Sequence, residues 1–524
     1  MSNSSHQPTA NSQRSVLGHP PGLFVLFFTE MWERFSYYGM RALLVLFLTK
    51  HFLFDRDAAF GLYGAYTTLV YITPVLGGYL ADRYLGQRKA VLFGALLLVL
   101  GHAGMALEGD PVAPGGAPDP RVLNIFYFSL ALIIAGVGFL KANISTIVGE
   151  LYAKTDQRRD SAYTLFYVGI NTGAALGALL AGYLGETYGW RYGFGAAGVG
   201  MLLGLLVFIW GKPLLHGAGE PPDPQRLCTP LIAGISTEWL IYLGTGVMTL
   251  VLWVLVRDQG TVNLVLTGFG AVVVGYILMF SVSRLVPEAR NRIIAALILI
   301  SLQILFWGLF EQTGSSLSLY IDDQVDRNLF GWIVPASMFQ SLNASYIILL
   351  GPIFAWLWPF LDRRGWQLST AFKFALGLAQ VGLGFLILVW GATGAGSALT
   401  PVLFIFLLFL LHTTGELCLS PVGLSAMTRL SPPSLVGLIM GTWFLASGAG
   451  NAVAALIAQA TAATDANGNS QVLEVYSNVG WLSIAVAVGL ALVSPLLTRL
   501  MHLDTLKDGD SGLREDRQPI RATR

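Results

Sequence analysis

The sequence predicts an all-α membrane protein that crosses the bilayer about fourteen times. Three observations carry that prediction. Of the 524 residues, 54% are hydrophobic and 12% are charged, about half the charged share of a soluble domain. The mean hydropathy is +0.63. The apolar residues also gather into runs long enough to cross ~30 Å of hydrocarbon. This composition excludes a water-soluble multidomain enzyme and a disordered chain, and it argues against a β-barrel, whose alternating strands would dilute the apolar signal. Thirty-one Lys and Arg against 30 Asp and Glu leave a net charge of +1, so nothing points to nucleic acid. Cys228 lies in a loop and Cys418 in an apolar run, which gives no disulfide framework. Neither a metal-ligand spacing nor a nucleophile motif is present, so neither an enzyme nor a metal or organic cofactor is expected.

The runs follow in order. The first six are Leu23–Leu53, Ala58–Leu80, Ala90–Leu107, Val122–Val148, Ala162–Leu184 and Tyr192–Trp210. A linker rich in Pro and Gly precedes two more, Leu231–Val256 and Leu264–Phe280. The last six are Ile293–Leu319, Ile333–Phe360, Leu368–Trp390, Val402–Met427, Leu435–Ile457 and Val472–Leu500. The expected organisation is a disordered tail (1–21), a six-helix bundle (22–212), a linker with an inserted helix pair (213–289), a second six-helix bundle (290–502) and a second tail (503–524). The first residues, MSNSSHQPTANSQRS, lack the apolar core of a cleaved signal. Basic residues mark one set of loops: Arg83, Arg88 and Lys89; Lys154, Arg158 and Arg159; Arg363 and Arg364; and Arg499, Lys507, Arg514 and Arg517 near the end. The alternate loops, EGDPVAPGGAPDP and IDDQVD, are acidic or neutral. The bias places both termini in the cytoplasm.

A charge at mid-bilayer costs ~2.5–3.5 kcal/mol on insertion scales, so charges inside spans carry information. In the first span Glu30, Glu33 and Arg34 share a helix face, with Tyr37 near it one turn on and Tyr38 beside it. The fourth span holds Lys141. In the second six-span half, its first span holds Glu311 and its fourth Glu416. Such a set is more than packing needs, because isolated buried pairs stabilise poorly. It points to a water-lined cavity. Arg34 and Lys141 can attract a carboxylate and Glu416 an ammonium, so a zwitterion of small-peptide length fits. Burial and a neighbouring cation pull a carboxylate's proton affinity in opposite directions. Glu30, Glu33 and Glu311 are therefore the candidates for a proton-linked switch.

The two six-span halves echo one another as parallel repeats, the architecture of the major facilitator superfamily. GGYLADRYLGQRK (Gly77–Lys89) resembles the loop motif of that superfamily. Its glycines would let helices approach, and Asp82, with Arg83 and Arg88, would form a gate in which Asp82 pairs with a neighbouring Arg. EMWERFSYY (Glu30–Tyr38) resembles the ExxERFxYY motif of the proton-dependent oligopeptide transporters within the superfamily. FYVGINTG (Phe166–Gly173), FWGLFEQTG (Phe306–Gly314), FQSLNASYI (Phe339–Ile347) and GELCLSPVGLSAMT (Gly415–Thr428) resemble further patterns of that family, in the right order over Gly22 to Leu500.

The resemblance implies a major facilitator fold of two six-helix bundles plus the inserted pair. It implies proton-driven import of di- and tripeptides by alternating access, with protons as coupling ion. Arg34 and Lys141 would clamp the peptide C-terminus and Glu416 the N-terminus. Asn171 and Asn343 would bond the peptide backbone. Tyr37, Tyr38, Tyr71, Trp307, Trp443 and Ser447 would line the pocket, and Glu30, Glu33 and Glu311 would couple to protons. Animal members carry a histidine in the second span where this chain has Gly64, so coupling here should rest on carboxylates. His102 reads as a packed or locally bonded histidine. The inserted pair, and the short GATGAGSALT where animal members have a large domain, resemble bacterial members and a monomer in the inner membrane. The inserted pair holds no buried charge cluster and should lie outside the transport path. Fold alone does not set the solute, so nitrate, a drug or a peptide-like compound are the alternatives. A channel or a membrane enzyme fits less well.

Overall fold

The computed structural model describes residues 15–153, 156, 158–232, 234–464, 471–503 and 512–514. Most of the N-terminal tail, Lys154, Lys507 and Arg517 lie outside the described residues. Hydrocarbon offers no partner for backbone N–H and C=O groups, and the chain answers with helices that satisfy their own. In order these are α1 (Pro21–Lys50), α2 (Arg56–Leu80), α3 (Gln87–Met105), α4 (Pro120–Glu150), α5 (Arg158–Tyr188), α6 (Trp190–Gly211), the short α7 (Pro224–Cys228), α8 (Thr237–Leu255), α9 (Gln259–Arg284), α10 (Pro287–Phe310), α11 (Ser316–Gln324), α12 (Ser341–Arg363), α13 (Thr370–Ala395), α14 (Leu403–Leu430), α15 (Val436–Ala462) and α16 (Val472–Leu500). Among the described residues 13 helices are long and apolar enough to cross a membrane. Helix α1 adds a fourteenth of 30 residues, whose charges keep it out of a count made on apolarity.

Polar residues just ahead of apolar runs start several helices by accepting their free N–H groups. Asp55 accepts from Ala58 N at 2.8 Å, Asp258 from Thr261 N at 3.1 Å, and Ser369 from Phe372 N at 3.1 Å. Helices α1 to α6 form one bundle, with α1 against α5 and α6, α3 against α4 and α6, and α2 against α4. Helices α10 and α12 to α16 form the other, with α13 against α14 and α16, and α10 against α13, α14 and α15. The bundles meet where α2 packs on α15 and α5 on α12. The inserted pair lies at the rim, α8 against α4 and α9 against α2 and α15. Much of its apolar surface is exposed, for example Val247 and Val272. An even number of crossings returns the chain to the side where it began, so the start of α1 and the end of α16 lie on one side of the molecule, called here the terminal end.

Glycines set the closest helix contacts. At Gly77 a Cβ would overlap the Gly138 carbonyl oxygen, so α2 and α4 touch backbone to backbone. At Gly173 and Gly177 a Cβ would overlap the carbonyl oxygens of Met31 and Phe35, which fixes α5 on α1. After Leu80 the chain widens into a π turn, Ala81–Leu85, and stops at Gly86 with φ +74°. The linker crosses directly above, 2.5 Å from where a Cβ on Gly86 would stand.

Four expectations need correction. The run from Ile293 is not one helix to Leu319. It ends at Phe310 and passes through a 3₁₀ turn, Glu311–Gly314, into α11. The run from Ile333 begins instead with a hairpin, in which Asn328–Leu329 pairs with Trp332–Ile333 around Gly331, and Pro335 ends the strand. The run from Leu231 starts with a two-strand turn, and its helix begins at Thr237, capped by Ser236. The expected disordered tail is ordered from Val16 on: Val16 pairs with His19, whose Nδ1 lies 2.8 Å from the Tyr152 hydroxyl.

Gly177→Ala should destabilise the protein by about 1–3 kcal/mol through overpacking. Gly195→Ala, where no atom lies within 4 Å of the new Cβ, should not. Thermal melting of both variants in detergent checks this, and equal melting temperatures would contradict the backbone-contact account.

Candidate functional site

One face of α1 carries Glu30, Glu33, Arg34, Tyr37 and Arg41, spaced by three, one, three and four residues. All are buried. Arg34 Nε lies 3.0 Å from Glu30 Oε1 and also pairs with Glu33, so one guanidinium holds two carboxylates. Its Cζ stands 5.6 Å from the Tyr37 ring centre. Lys141 on α4 places its Nζ 4.1 Å from the ring centre of Tyr71 on α2, a cation over an aromatic face. Lys141 is within electrostatic range of Arg34, Glu30, Glu33 and Glu311. Arg34 Nη2 and Trp307 Nε1 are buried and make no hydrogen bond to any described residue.

Two turns beyond Arg34, Arg41 pairs with Glu311 of the second bundle. Arg41 Nε also donates to the Tyr63 hydroxyl at 2.6 Å. At Gly314, three residues after Glu311, a Cβ would overlap that same hydroxyl, so the 3₁₀ turn fits only without a side chain. The expected grouping of three glutamates is therefore two sites: Glu30 and Glu33 share Arg34 within α1, whereas Glu311 joins the bundles through Arg41.

Opposite, on α14, Glu416 Oε2 accepts from Asn343 Nδ2 of α12 at 2.9 Å, and the same Nδ2 reaches Thr413 Oγ1 at 3.1 Å. Tyr38 is within electrostatic range of Arg34, Arg41, Glu311 and Glu416, and the Arg41 Cζ stands 5.8 Å from its ring centre. Asn171 donates to the Tyr167 carbonyl at 3.0 Å. Ser447 donates to the Trp443 carbonyl at 3.3 Å, and Gln303 to the same oxygen at 2.6 Å. The Trp443 ring packs tightly on Gly423 and faces Phe374, within the second bundle.

A cavity of about 800 Å³ enters from the terminal end between α5, α12, α13 and α14. Its wall includes Tyr167, Asn171, Ile347, Trp358, Leu417 and Arg429. Asn171 is the one sequence-predicted residue that lines it among the described residues. Glu416 is next to Leu417, and Asn343 is one turn before Ile347, so the inner end of the cavity reaches the acidic side of the site. The far end is shut. Lys50 and Arg56 lie 2.5 Å from Asp322 and Asp323, and Glu186 accepts from Ser337 N at 2.8 Å. At Gly64 a Cβ would overlap that of Ala455, which leaves no room for a histidine there. His102 bonds Ser36 Oγ at 3.0 Å, a local partner as expected.

The terminal-end gate differs from the expected Asp82–Arg pair. Asp82 accepts from Gln87 Nε2 at 2.8 Å, Arg83 stays exposed beside Tyr84, and Arg88 pairs with Glu220 of the linker. The π turn directs Asp82 to its own loop. Sequence reasoning missed Arg41, although it lies seven residues after Arg34 and so on the same helix face. It also missed Tyr63, Tyr167 and Thr413, ordinary polar residues in apolar helices that no spacing singles out.

The comparisons with known proteins agree with this geometry. A family model described as "POT family" matches residues 88–479. An uncharacterized transporter of Bacillus subtilis, YclF, is 38% identical over 504 residues, covering 93% of this chain and 96% of its own. The peptide transporter YePEPT of Yersinia enterocolitica is 36% identical over 477 residues, 85% of this chain and 88% of its own. A crystal structure of the peptide transporter POT in complex with sulfate superposes with a TM-score of 0.78 at 35% identity, covering 93% and 97%. A POT family transporter in complex with a thioalcohol-conjugated peptide superposes with 0.79 at 28%, covering 93% and 98%. A multi-pass helical protein with these relatives is a transporter rather than an enzyme, and the chain belongs to the POT family of peptide transporters.

Proposed function

We propose that this protein is a proton-coupled symporter that imports di- and tripeptides across a bacterial inner membrane, as a monomer with both termini in the cytoplasm. The observation that carries the reading is the pair of opposed charges around Tyr38: Arg34 and Lys141 on the first bundle, Glu416 braced by Asn343 on the second. Every unblocked dipeptide presents a carboxylate, an amide and an ammonium, and these groups match that array whatever the side chains are. Arg34 and Lys141 take the carboxylate, and Glu416 takes the ammonium. The Nδ2 group of Asn343 is occupied by Glu416 and Thr413, so its Oδ1 faces the peptide N–H groups as an acceptor. Asn171 offers its amide oxygen to the peptide backbone while its Nδ2 donates to the Tyr167 carbonyl. Tyr37, Tyr71, Trp307, Trp443 and Ser447 shape the pocket. Asp82, Arg83 and Arg88 belong to the loops that would close the terminal end when the far end opens.

Proton coupling follows from the ion pairs. While Glu30 and Glu33 are ionised they occupy Arg34, and protonation of either releases part of the guanidinium to a substrate carboxylate. Protonation of Glu311 removes the partner of Arg41 at the far end. The substrate carboxylate and the ionised glutamates thus compete for Arg34, and protonation of the glutamates favours the substrate, which ties the two movements together. The basic loops at the terminal end support the orientation.

Labelled dialanine should accumulate in proteoliposomes under an inward proton gradient. A protonophore should collapse the accumulation, and other di- and tripeptides, but not free alanine, should compete. Demonstrably folded protein that accumulates no peptide would overturn the reading and direct attention to another solute. Glu416→Gln should weaken dialanine by roughly 10–100-fold, since hydrogen bonds to charged groups contribute about 1.5–3 kcal/mol. It should weaken N-acetylated dialanine far less. Competition uptake with both ligands checks this, and equal losses would remove Glu416 from the ammonium site.

A further inference from the structure

Outside the transport path, a second cavity of about 380 Å³ lies between the end of α2, the π turn, α7 and the inserted helix α8. Its walls are apolar along most of their length: Leu76 and Leu80 on one side, Leu240, Ile241 and Met248 on the other. The groove is open to the outside, for Leu76 and Leu231 are exposed and nothing lies within 4 Å of a Cβ placed at Gly244. On a protein that spans a bilayer, such a surface is bathed by lipid chains.

The terminal end of the groove has the opposite chemistry. Tyr84 and Arg226 close it, with the Arg226 Cζ 5.4 Å and the Arg83 Cζ 5.9 Å from the Tyr84 ring centre. Two guanidinium groups gathered at one ring make a local patch of positive charge. The neighbouring carboxylates are engaged elsewhere. Glu220 pairs with Arg88, Glu238 with Lys89 at 2.6 Å, and Asp82 with Gln87. Asp223 caps α7 by accepting the backbone N–H of Arg226 at 3.0 Å. Among the described residues neither Arg83 nor Arg226 has a carboxylate partner. An apolar channel at acyl-chain depth that ends in arginines at headgroup depth is the chemistry of a phospholipid site.

We infer that this groove binds one anionic phospholipid, with an acyl chain along α8 and its phosphate at Arg226 and Arg83. The inserted pair then completes a lipid site with α2, next to the loop that carries Asp82. The choice of an anionic lipid rests on the two arginines, and that of a lipid over free phosphate rests on the apolar groove.

Native mass spectrometry of the full-length protein in detergent tests this, with dioleoylphosphatidylglycerol, dioleoylphosphatidylcholine and inorganic phosphate as probes. One phosphatidylglycerol should be retained in preference to phosphatidylcholine, and inorganic phosphate should not displace it. Arg226→Ala should weaken that binding about fivefold, the effect of one basic residue at a membrane surface. Gly244→Phe should block the groove and abolish the preferred adduct, and because the site is open it should leave the melting temperature unchanged. Equal retention of the two lipids, displacement by inorganic phosphate, or undiminished binding in both folded variants would each overturn the inference.

Discussion

The Arg41–Glu311 ion pair joins the two bundles inside the membrane, on the side of the site that faces the closed far end. Neither charge could stand alone at that depth. Removing one partner of a buried pair costs about 3–5 kcal/mol, because the other is left uncompensated. The neighbours are arranged around the pair. Tyr63 bonds the guanidinium at 2.6 Å, and the 3₁₀ turn at Glu311–Gly314 brings the carboxylate across only because Gly314 clears the tyrosine. The pairs Lys50–Asp322 and Arg56–Asp323 lie further out on the same side; both side chains of the second are open to water, so it contributes little.

The proposed cycle uses the same constraint. If Glu311 takes a proton, Arg41 must find water or another anion, and opening the far end supplies water. The deeper cluster works in parallel. Arg34 is shared by Glu30 and Glu33, so its availability to a substrate carboxylate depends on how many of them are ionised. Gly173 and Gly177 hold α5 against the backbone of α1, so the charged face of α1 is backed by a tightly packed helix pair.

Much of this was legible in the sequence, for physical reasons. Apolar runs must cover the hydrocarbon, so nearly every helix was found, and charges inside such runs are costly enough to reveal the site. The glycines of GGYL foretold a close helix contact, which Gly77 makes, whereas the contact at Gly173 was not read. The breaks were harder to read. Glu311 to Gly314 looks like the continuation of an apolar helix, and only the crossing to Arg41 explains why it turns. The partnership itself was hidden because Arg41 and Glu311 are 270 residues apart in the chain. The loop of Asp82 was also misread, since a π turn and the linker above Gly86 are tertiary features that no local pattern announces.

The central claim is that the Arg41–Glu311 pair holds the far end shut. The most direct test is pulsed electron–electron resonance between spin labels at Leu53 and Phe330, exposed positions on either bundle at that end, with Cys228 and Cys418 replaced. Neutral protein in lipid should give one short distance, and Glu311→Gln should add a longer population at the same pH. An unchanged distribution in the folded variant would contradict the account.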